Sequence, residues 1–120
     1  MARKILIVED SPAEMNLIRS ALEHKGYDIF TASDGEEALE TAATVQPDLV
    51  LLDIVLPKKN GFQVCRHLKT SPATNQAKII LVSSKNQESD RFWGMKQGAD
   101  EYLTKPFDEA QLLSSVKRHL

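Results

Sequence analysis

The chain has little cysteine, no long apolar run and no excess of positive charge, and each lack excludes a class of protein. Its single cysteine, Cys65, excludes an internal disulfide and suits a reducing compartment. No apolar run approaches the roughly 18 residues of a membrane-spanning helix, and no export signal opens the chain, so we expect a cytoplasmic protein with no membrane partner. Basic and acidic residues are interspersed, which leaves no basic surface for nucleic acid.

The chain does have enough apolar residues for one core. It contains 120 residues, of which 42% are hydrophobic, and its net charge is −2. A chain of this length can bury a core without disulfides or metals to staple it. No linker, low-complexity tract or repeat divides it, so we predict a single domain over residues 1–120.

Apolar runs alternate with amphipathic stretches along the whole chain. The runs are Ile5–Val8, Ile29–Phe30, Leu49–Leu52, Ile79–Val82 and Tyr102–Leu103. Three of them are continuously apolar, as in parallel strands that are covered on both faces. The stretches between them have the period of helices. Strict alternation with right-handed crossovers predicts an α/β fold, a flavodoxin-like doubly wound (βα)5 parallel sheet with strand order 2-1-3-4-5.

Four helix starts carry a capping signal, which is an N-cap residue followed three positions later by glutamate or glutamine. The pairs are Ser11 with Glu14, Asp34 with Glu37, Asn60 with Gln63, and Asp108 with Gln111. Pro12 strengthens the first signal, because proline fits the first position of a helix. Gly26 and Gly98 are placed like the left-handed glycines that end helices.

Polar side chains follow the predicted strands at the edge where parallel strands end. Glu9 and Asp10 follow the first run, and Asp53 follows the third. Ser83 and Lys105 follow the fourth and the fifth. Three carboxylates that converge on one pocket cannot all stay ionised without a cation. The sequence therefore predicts a hard divalent ion held by oxygen ligands, with one carboxylate left to react.

Four motifs at these strand ends resemble those of one family. They are Glu9-Asp10, Asp53-Ile54-Val55-Leu56-Pro57 with Gly61 eight residues after the aspartate, Ser83-Ser84, and Lys105-Pro106-Phe107. Each motif alone is weak, but all four in order resemble the receiver domain of two-component response regulators, from Lys4 to the last helix. The segment from Trp93 to Ala99 is also similar to stand-alone receivers of pilus-driven motility systems.

The resemblance implies a phosphoacceptor protein rather than an enzyme with its own substrate. Asp53 would take a phosphoryl group from a phosphohistidine of a sensor histidine kinase or phosphotransfer domain. The implied cofactor is Mg²⁺, held by Asp10, Asp53 and the backbone carbonyl of Val55, with Glu9 holding a coordinated water. An ion with several waters and few protein ligands is typical of Mg²⁺ at phosphoryl-transfer sites.

The resemblance also implies roles for the residues around the phosphoryl group. Lys105, followed by a cis bond to Pro106, would give one phosphoryl oxygen a positive charge, and the Ser83 hydroxyl would donate to another. Tyr102 would turn inward as that hydroxyl moves. This switch would alter the affinity of the face formed by the fourth helix, fifth strand and fifth helix for an unknown downstream protein. Trp93, on or near that face, is either a partner anchor or a packed side chain.

Simpler interpretations apply to these residues when each is taken singly. Asp10 could cap a helix, Asp53 could belong to a turn, and Lys105 could merely precede a proline. Tyr102 could be a half-buried aromatic at the edge of the sheet. Met95 is expected to pack in the interior. The joint occurrence of the motifs favours the chemical interpretation for Asp10, Asp53 and Lys105, whereas both interpretations stay open for Tyr102.

Two other functions are weighed against the phosphoacceptor. An interaction module that no longer depends on phosphate is disfavoured because every reactive residue is present. A flavodoxin-like electron carrier would need a loop that cradles phosphate after the first strand. Here that loop carries Glu9, Asp10 and Glu14, which would repel it. Val55 offers no group that orients a hydrolytic water, and Lys85 would shield or pair with the phosphoryl group instead of acting as a base, so we also predict slow loss of the phosphoryl group.

Overall fold

The computed structural model describes residues 2–120, over which five strands alternate with five helices as predicted. In chain order these are β1 (Lys4–Val8), α1 (Pro12–Leu22), β2 (Asp28–Ala32), α2 (Gly35–Val45), β3 (Leu49–Asp53), α3 (Gly61–Thr70), β4 (Lys78–Ser83), α4 (Glu88–Lys96), β5 (Glu101–Thr104) and α5 (Glu109–His119). Each predicted apolar run lies inside one strand. None of the helices in this part of the chain has the length and hydropathy needed to span a membrane.

The strands form one parallel sheet in the order β2-β1-β3-β4-β5, which confirms the predicted order. Its register aligns the ends of the strands: Val8 pairs with Leu52, and Ser83 pairs with Thr104. The residues that follow β1, β3, β4 and β5 therefore leave the sheet at one edge. The predicted site lies at this edge.

The core consists of two apolar layers, one on each face of the sheet. Alternate residues of β1 point to opposite faces, as the pleat of a strand requires: Leu6 packs with α2 and α3, while Ile7 packs with α1 and α5. Cys65 of α3 is fully buried in the first layer, as predicted. Burial raises the pKa of its thiol to about 12, so the side chain acts as a small apolar group.

The four predicted N-caps are present, but two of the predicted capping boxes are not complete. The complete boxes are Asn60 with Gln63 and Asp108 with Gln111. At α1 and α2 the N-cap side chain accepts its backbone hydrogen bond, whereas the glutamate three positions later binds elsewhere. Glu37 accepts from the Ser33 backbone N–H, and Glu14 binds Lys105. The predicted hydrogen bond from the N-cap backbone N–H to the glutamate was therefore wrong for these two helices.

Both glycines that were predicted to be left-handed have positive φ. Gly98, at +102°, directly follows the C-cap Gln97 of α4, as predicted. Gly26, at +89°, lies instead in the turn before β2, because α1 has already ended at Leu22. The conformation was predicted correctly at both positions, but the structural context only at Gly98.

Helix α4 packs on the sheet without burying a large side chain. Within this helix, which the structure describes in full, Gly94 is the one buried residue, and a Cβ there would crowd Leu81 and Tyr102. Met95 is 47% exposed, so the prediction that it packs in the interior was wrong. Trp93 is exposed as well. Tyr102 lies in the edge strand β5, but it is only 6% exposed and therefore buried rather than half-buried.

Candidate functional site

Three carboxylates meet where β1 and β3 end. One carboxylate oxygen from each of Glu9, Asp10 and Asp53 lies within 4.8 Å of the others. Glu9 and Asp53 are buried, whereas Asp10 is exposed at the rim. The predicted convergence of acids is therefore present in the fold.

The crowding of these acids affects the pKa of Glu9. Burial, helped by a hydrogen bond to Asp53 and by its negative charge, raises the pKa of Glu9 to about 7, although Lys105 and the Ser11 N–H oppose the shift. The effects of burial and of Asp53 on this carboxyl therefore outweigh the single positive charge of Lys105 beside it. Oxygen ligands from three acids, two of them buried, fit a hard divalent cation such as Mg²⁺.

Lys105 enters this cluster from the end of β5. Its ammonium lies 2.8 Å from Glu9 Oε1, 2.9 Å from Asp53 Oδ2 and 2.8 Å from Glu14 Oε1. The peptide bond to Pro106 is cis, as the family resemblance implied. Burial alone would lower the pKa of Lys105, but the contacts with Glu14, Glu9 and Asp53 raise it well above its usual value. The lysine therefore stays charged at any physiological pH.

The loop after β3 fixes the Asp53 carboxylate. Its Oδ1 accepts from the Val55 N–H at 3.1 Å, while Oδ2 accepts from Lys105. Gly61 closes the loop, since its N–H donates to the Ile54 carbonyl at 2.8 Å. A Cβ at Gly61 would overlap the Asp53 backbone carbonyl, so a glycine is required eight residues after the aspartate. Val55 is 57% exposed at the mouth of the site.

A chain of hydrogen bonds leads from Ser83 to β5. The buried Ser83 hydroxyl accepts from the Lys85 N–H at 3.2 Å, and Tyr102 donates its hydroxyl to the Lys85 carbonyl at 2.6 Å. Burial, with the charge of Asp90, raises the pKa of Tyr102 despite opposing contacts with Ser83 and Arg91. The tyrosine is thus held inward as a neutral donor.

Arg91 connects α4 to the same strand. Its guanidinium carbon lies 5.2 Å from the centroid of the Tyr102 ring, and Nη1 donates to the Tyr102 carbonyl at 3.3 Å. Nη2 donates to Thr104 Oγ1 at 2.7 Å. No local sequence pattern indicates this contact, because the two elements meet only in the tertiary fold.

A groove of about 760 Å³ opens beside the acids, between α1 and α5. Its lining includes three residues of the site, Asp10, Asp53 and Lys105. Its apolar walls come from α1, α5 and the loop before α5: Leu17, Ile18, Ala21, Pro106, Phe107 and Leu112. No local pattern in the sequence marks this groove, because its two walls are far apart along the chain.

Comparison with known proteins agrees with this geometry. The family model for the response regulator receiver domain matches residues 5–117. The chain is 46% identical to Protein PilH of Pseudomonas aeruginosa, in an alignment that covers 97% of this chain and 95% of that protein. It is 43% identical to the alkaline phosphatase synthesis transcriptional regulatory protein PhoP of Bacillus subtilis over 98% of this chain, but spans only 48% of PhoP.

The solved structures agree as well. The chemotaxis response regulator CheY4 of Vibrio cholerae has a TM-score of 0.93 and 28% identity, with both chains covered in full. A putative response regulator from Chloroflexus aurantiacus also gives a TM-score of 0.93, at 30% identity, with 98% of this chain and 97% of that one covered. The resemblance drawn from four short motifs thus holds for nearly the whole chain, which belongs to the response regulator receiver domain family.

Proposed function

We propose that this chain is a single-domain response regulator in which Asp53 accepts a phosphoryl group. One observation carries the proposal: among the described residues, Asp53 alone belongs to the acidic cluster, contacts the Lys105 ammonium at 2.9 Å and also lines the groove beside the site. The alignment with PilH, which covers nearly all of both chains, supports a regulator that works without an attached output domain. Mg²⁺-dependent labelling by a small phosphodonor, located at Asp53 by peptide mass spectrometry, tests it.

The surroundings of Asp53 suit phosphoryl transfer. A carboxylate oxygen of Asp53 bonds to the phosphorus of the donor while the P–N bond to the histidine breaks, the imidazole leaves with the electron pair, and the product is an aspartyl phosphate. When bound, Mg²⁺ neutralises the charge of carboxylates and phosphoryl oxygens; Asp10, Asp53 and the Val55 carbonyl would hold it, and Glu9 would hold one of its waters. The Ser83 hydroxyl donates to one phosphoryl oxygen and Lys105 to another. Positioning and charge neutralisation supply nearly all the catalysis in such transfers.

The donor is a phosphohistidine of a sensor histidine kinase or phosphotransfer domain. The groove between α1 and α5 supports this part of the proposal, since its apolar walls run directly into the acidic end of the site. Leu17 is largely exposed at this groove. An apolar side chain left in water beside a reactive carboxylate suits a protein donor better than a small molecule.

The output is a change in affinity for another protein. We place the responding face on α4, β5 and α5, because Tyr102 of β5 receives the hydrogen-bond chain that starts at Ser83. Addition of a phosphoryl group draws the Ser83 hydroxyl toward Asp53. The backbone of Lys85, which contacts both side chains, passes that change to Tyr102 and to Arg91 on α4.

The proposed metal ligands make different contributions to Mg²⁺ affinity. Asp10→Ala is expected to raise the midpoint of a calorimetric Mg²⁺ titration several-fold more than Glu9→Ala, because a direct ligand matters more than a group that acts through water. Asp28→Ala, at the opposite end of the sheet and exposed, is the control and should titrate like the wild type. Equal midpoints for the Asp10 and Glu9 variants would contradict the assignment.

A further inference from the structure

The three carboxylates around Lys105 differ in how freely they can move. The side chains of Glu9 and Asp53 are 1% and 8% exposed, and both are fixed by other hydrogen bonds. Glu14, on the first turn of α1, is 44% exposed and reaches Lys105 from the solvent side. Among the residues described, it is the one partner of this ammonium that can leave without exposing a buried group.

Three carboxylates crowd the Lys105 ammonium, which donates hydrogen bonds to Glu9 and Asp53 and forms an ion pair with Glu14. A lysine ammonium carries three N–H groups, and each of the three carboxylates lies within 2.9 Å of it. An incoming phosphoryl oxygen therefore gains the lysine only when one carboxylate withdraws. Asp53 is the nucleophile and Glu9 is buried, which leaves Glu14 as the group that must give way.

We propose that Glu14 is a specificity-determining residue, which competes with the phosphoryl group for Lys105 and slows transfer from small, highly charged donors. The inference rests on the proposed phosphorylation of Asp53. Glu14 is a lining residue of the groove through which the donor reaches the site. Its negative charge therefore opposes the approach of a donor as well as the contact with Lys105, and both effects grow with the charge of the donor.

Two small donors that differ in charge distinguish this effect of Glu14 from one that changes the rate equally for every donor. With acetyl phosphate, an Asp53 oxygen forms a bond to phosphorus while the P–O bond to acetate breaks, and acetate leaves with the electron pair. With phosphoramidate, the P–N bond breaks and ammonia leaves with the protons it already carries. Near neutral pH acetyl phosphate carries about two negative charges and phosphoramidate, a zwitterion, about one, so Glu14 should hinder acetyl phosphate more.

The experiment compares Glu14→Gln with Glu23→Gln. Glu23 is a matched control, since it follows the same helix, is 43% exposed and pairs with Arg19 rather than with the site. At saturating Mg²⁺ and low salt, we expect Glu14→Gln to speed labelling of Asp53 about fivefold with acetyl phosphate and about twofold with phosphoramidate. Glu23→Gln should label at the wild-type rate with both donors.

A second measurement does not depend on phosphoryl transfer. The ¹⁵N resonance of the Lys105 ammonium should shift in Glu14→Gln and stay in place in Glu23→Gln, without donor present. An unmoved resonance, or an equal change of rate with both donors, would overturn the role of Glu14 while leaving Asp53 as the phosphoacceptor. A wild-type protein that both donors fail to label at Asp53 would overturn the proposed function, and the role of Glu14 with it.

Discussion

Asp53→Asn is expected to reduce Mg²⁺-dependent labelling by a small phosphodonor to background. The amide has nearly the shape of the carboxylate, but it is a far weaker nucleophile and carries no charge to hold Lys105 or a cation. Other carboxylates of the cluster do not replace Asp53, because Glu9 does not line the groove and Asp10 does not contact Lys105. Intact-mass measurement after incubation with donor and Mg²⁺ gives the extent of labelling.

The variant should remain folded, which makes this loss of labelling interpretable. Removing one of three crowded negative charges relieves repulsion in the cluster, so we expect a thermal midpoint no lower than that of the wild type in the absence of metal. Asp28→Asn serves as the control for the substitution itself and should label normally. Undiminished, acid-stable labelling of Asp53→Asn would show that the phosphoacceptor lies elsewhere.

The main parts of the fold could be predicted because their signals are local. Continuous apolar runs identified the strands, and amphipathic stretches between them identified the crossover helices. Once the strands are parallel, their carboxyl ends must share an edge, so Glu9, Asp10 and Asp53 had to converge. The chain then shows what was expected: a five-stranded sheet with the three acids together at that edge.

The features that could not be predicted depend on tertiary contacts, which local sequence patterns do not encode. Glu14 fits the spacing of a capping box, but its carboxylate binds Lys105, which only the fold brings within reach. In helix α4, Met95 was expected to pack in the interior. The buried position of this helix is Gly94, which has no side chain to mark it, and Met95 consequently lies on the surface. The sequence around Arg91 likewise does not indicate the contact of this residue with Tyr102.

The lifetime of the phosphorylated form should depend on Val55 and Lys85. An acyl phosphate is lost when water attacks in line with the bond to Asp53, and these residues stand two positions after Asp53 and Ser83. The exposed Val55 side chain lines the groove at the mouth of the site and has no donor or acceptor to orient a water. A lysine, at position 85, can pair with the phosphoryl group but does not act as a base while it is charged.

We therefore expect slow self-hydrolysis in the wild type and faster hydrolysis once both positions can bind water. Val55→Asn combined with Lys85→Glu should speed the decay on the order of tenfold, which corresponds to about 1.4 kcal/mol in the barrier. The amide holds the water, and the carboxylate accepts its proton while leaving the backbone of residue 85 free to contact Ser83 and Tyr102. Decay is followed in excess Mg²⁺ after donor removal, with Lys117→Glu, exposed on α5, as the control for charge reversal. A wild-type protein that loses its phosphoryl group as fast as the double variant would show that these two positions do not set the lifetime.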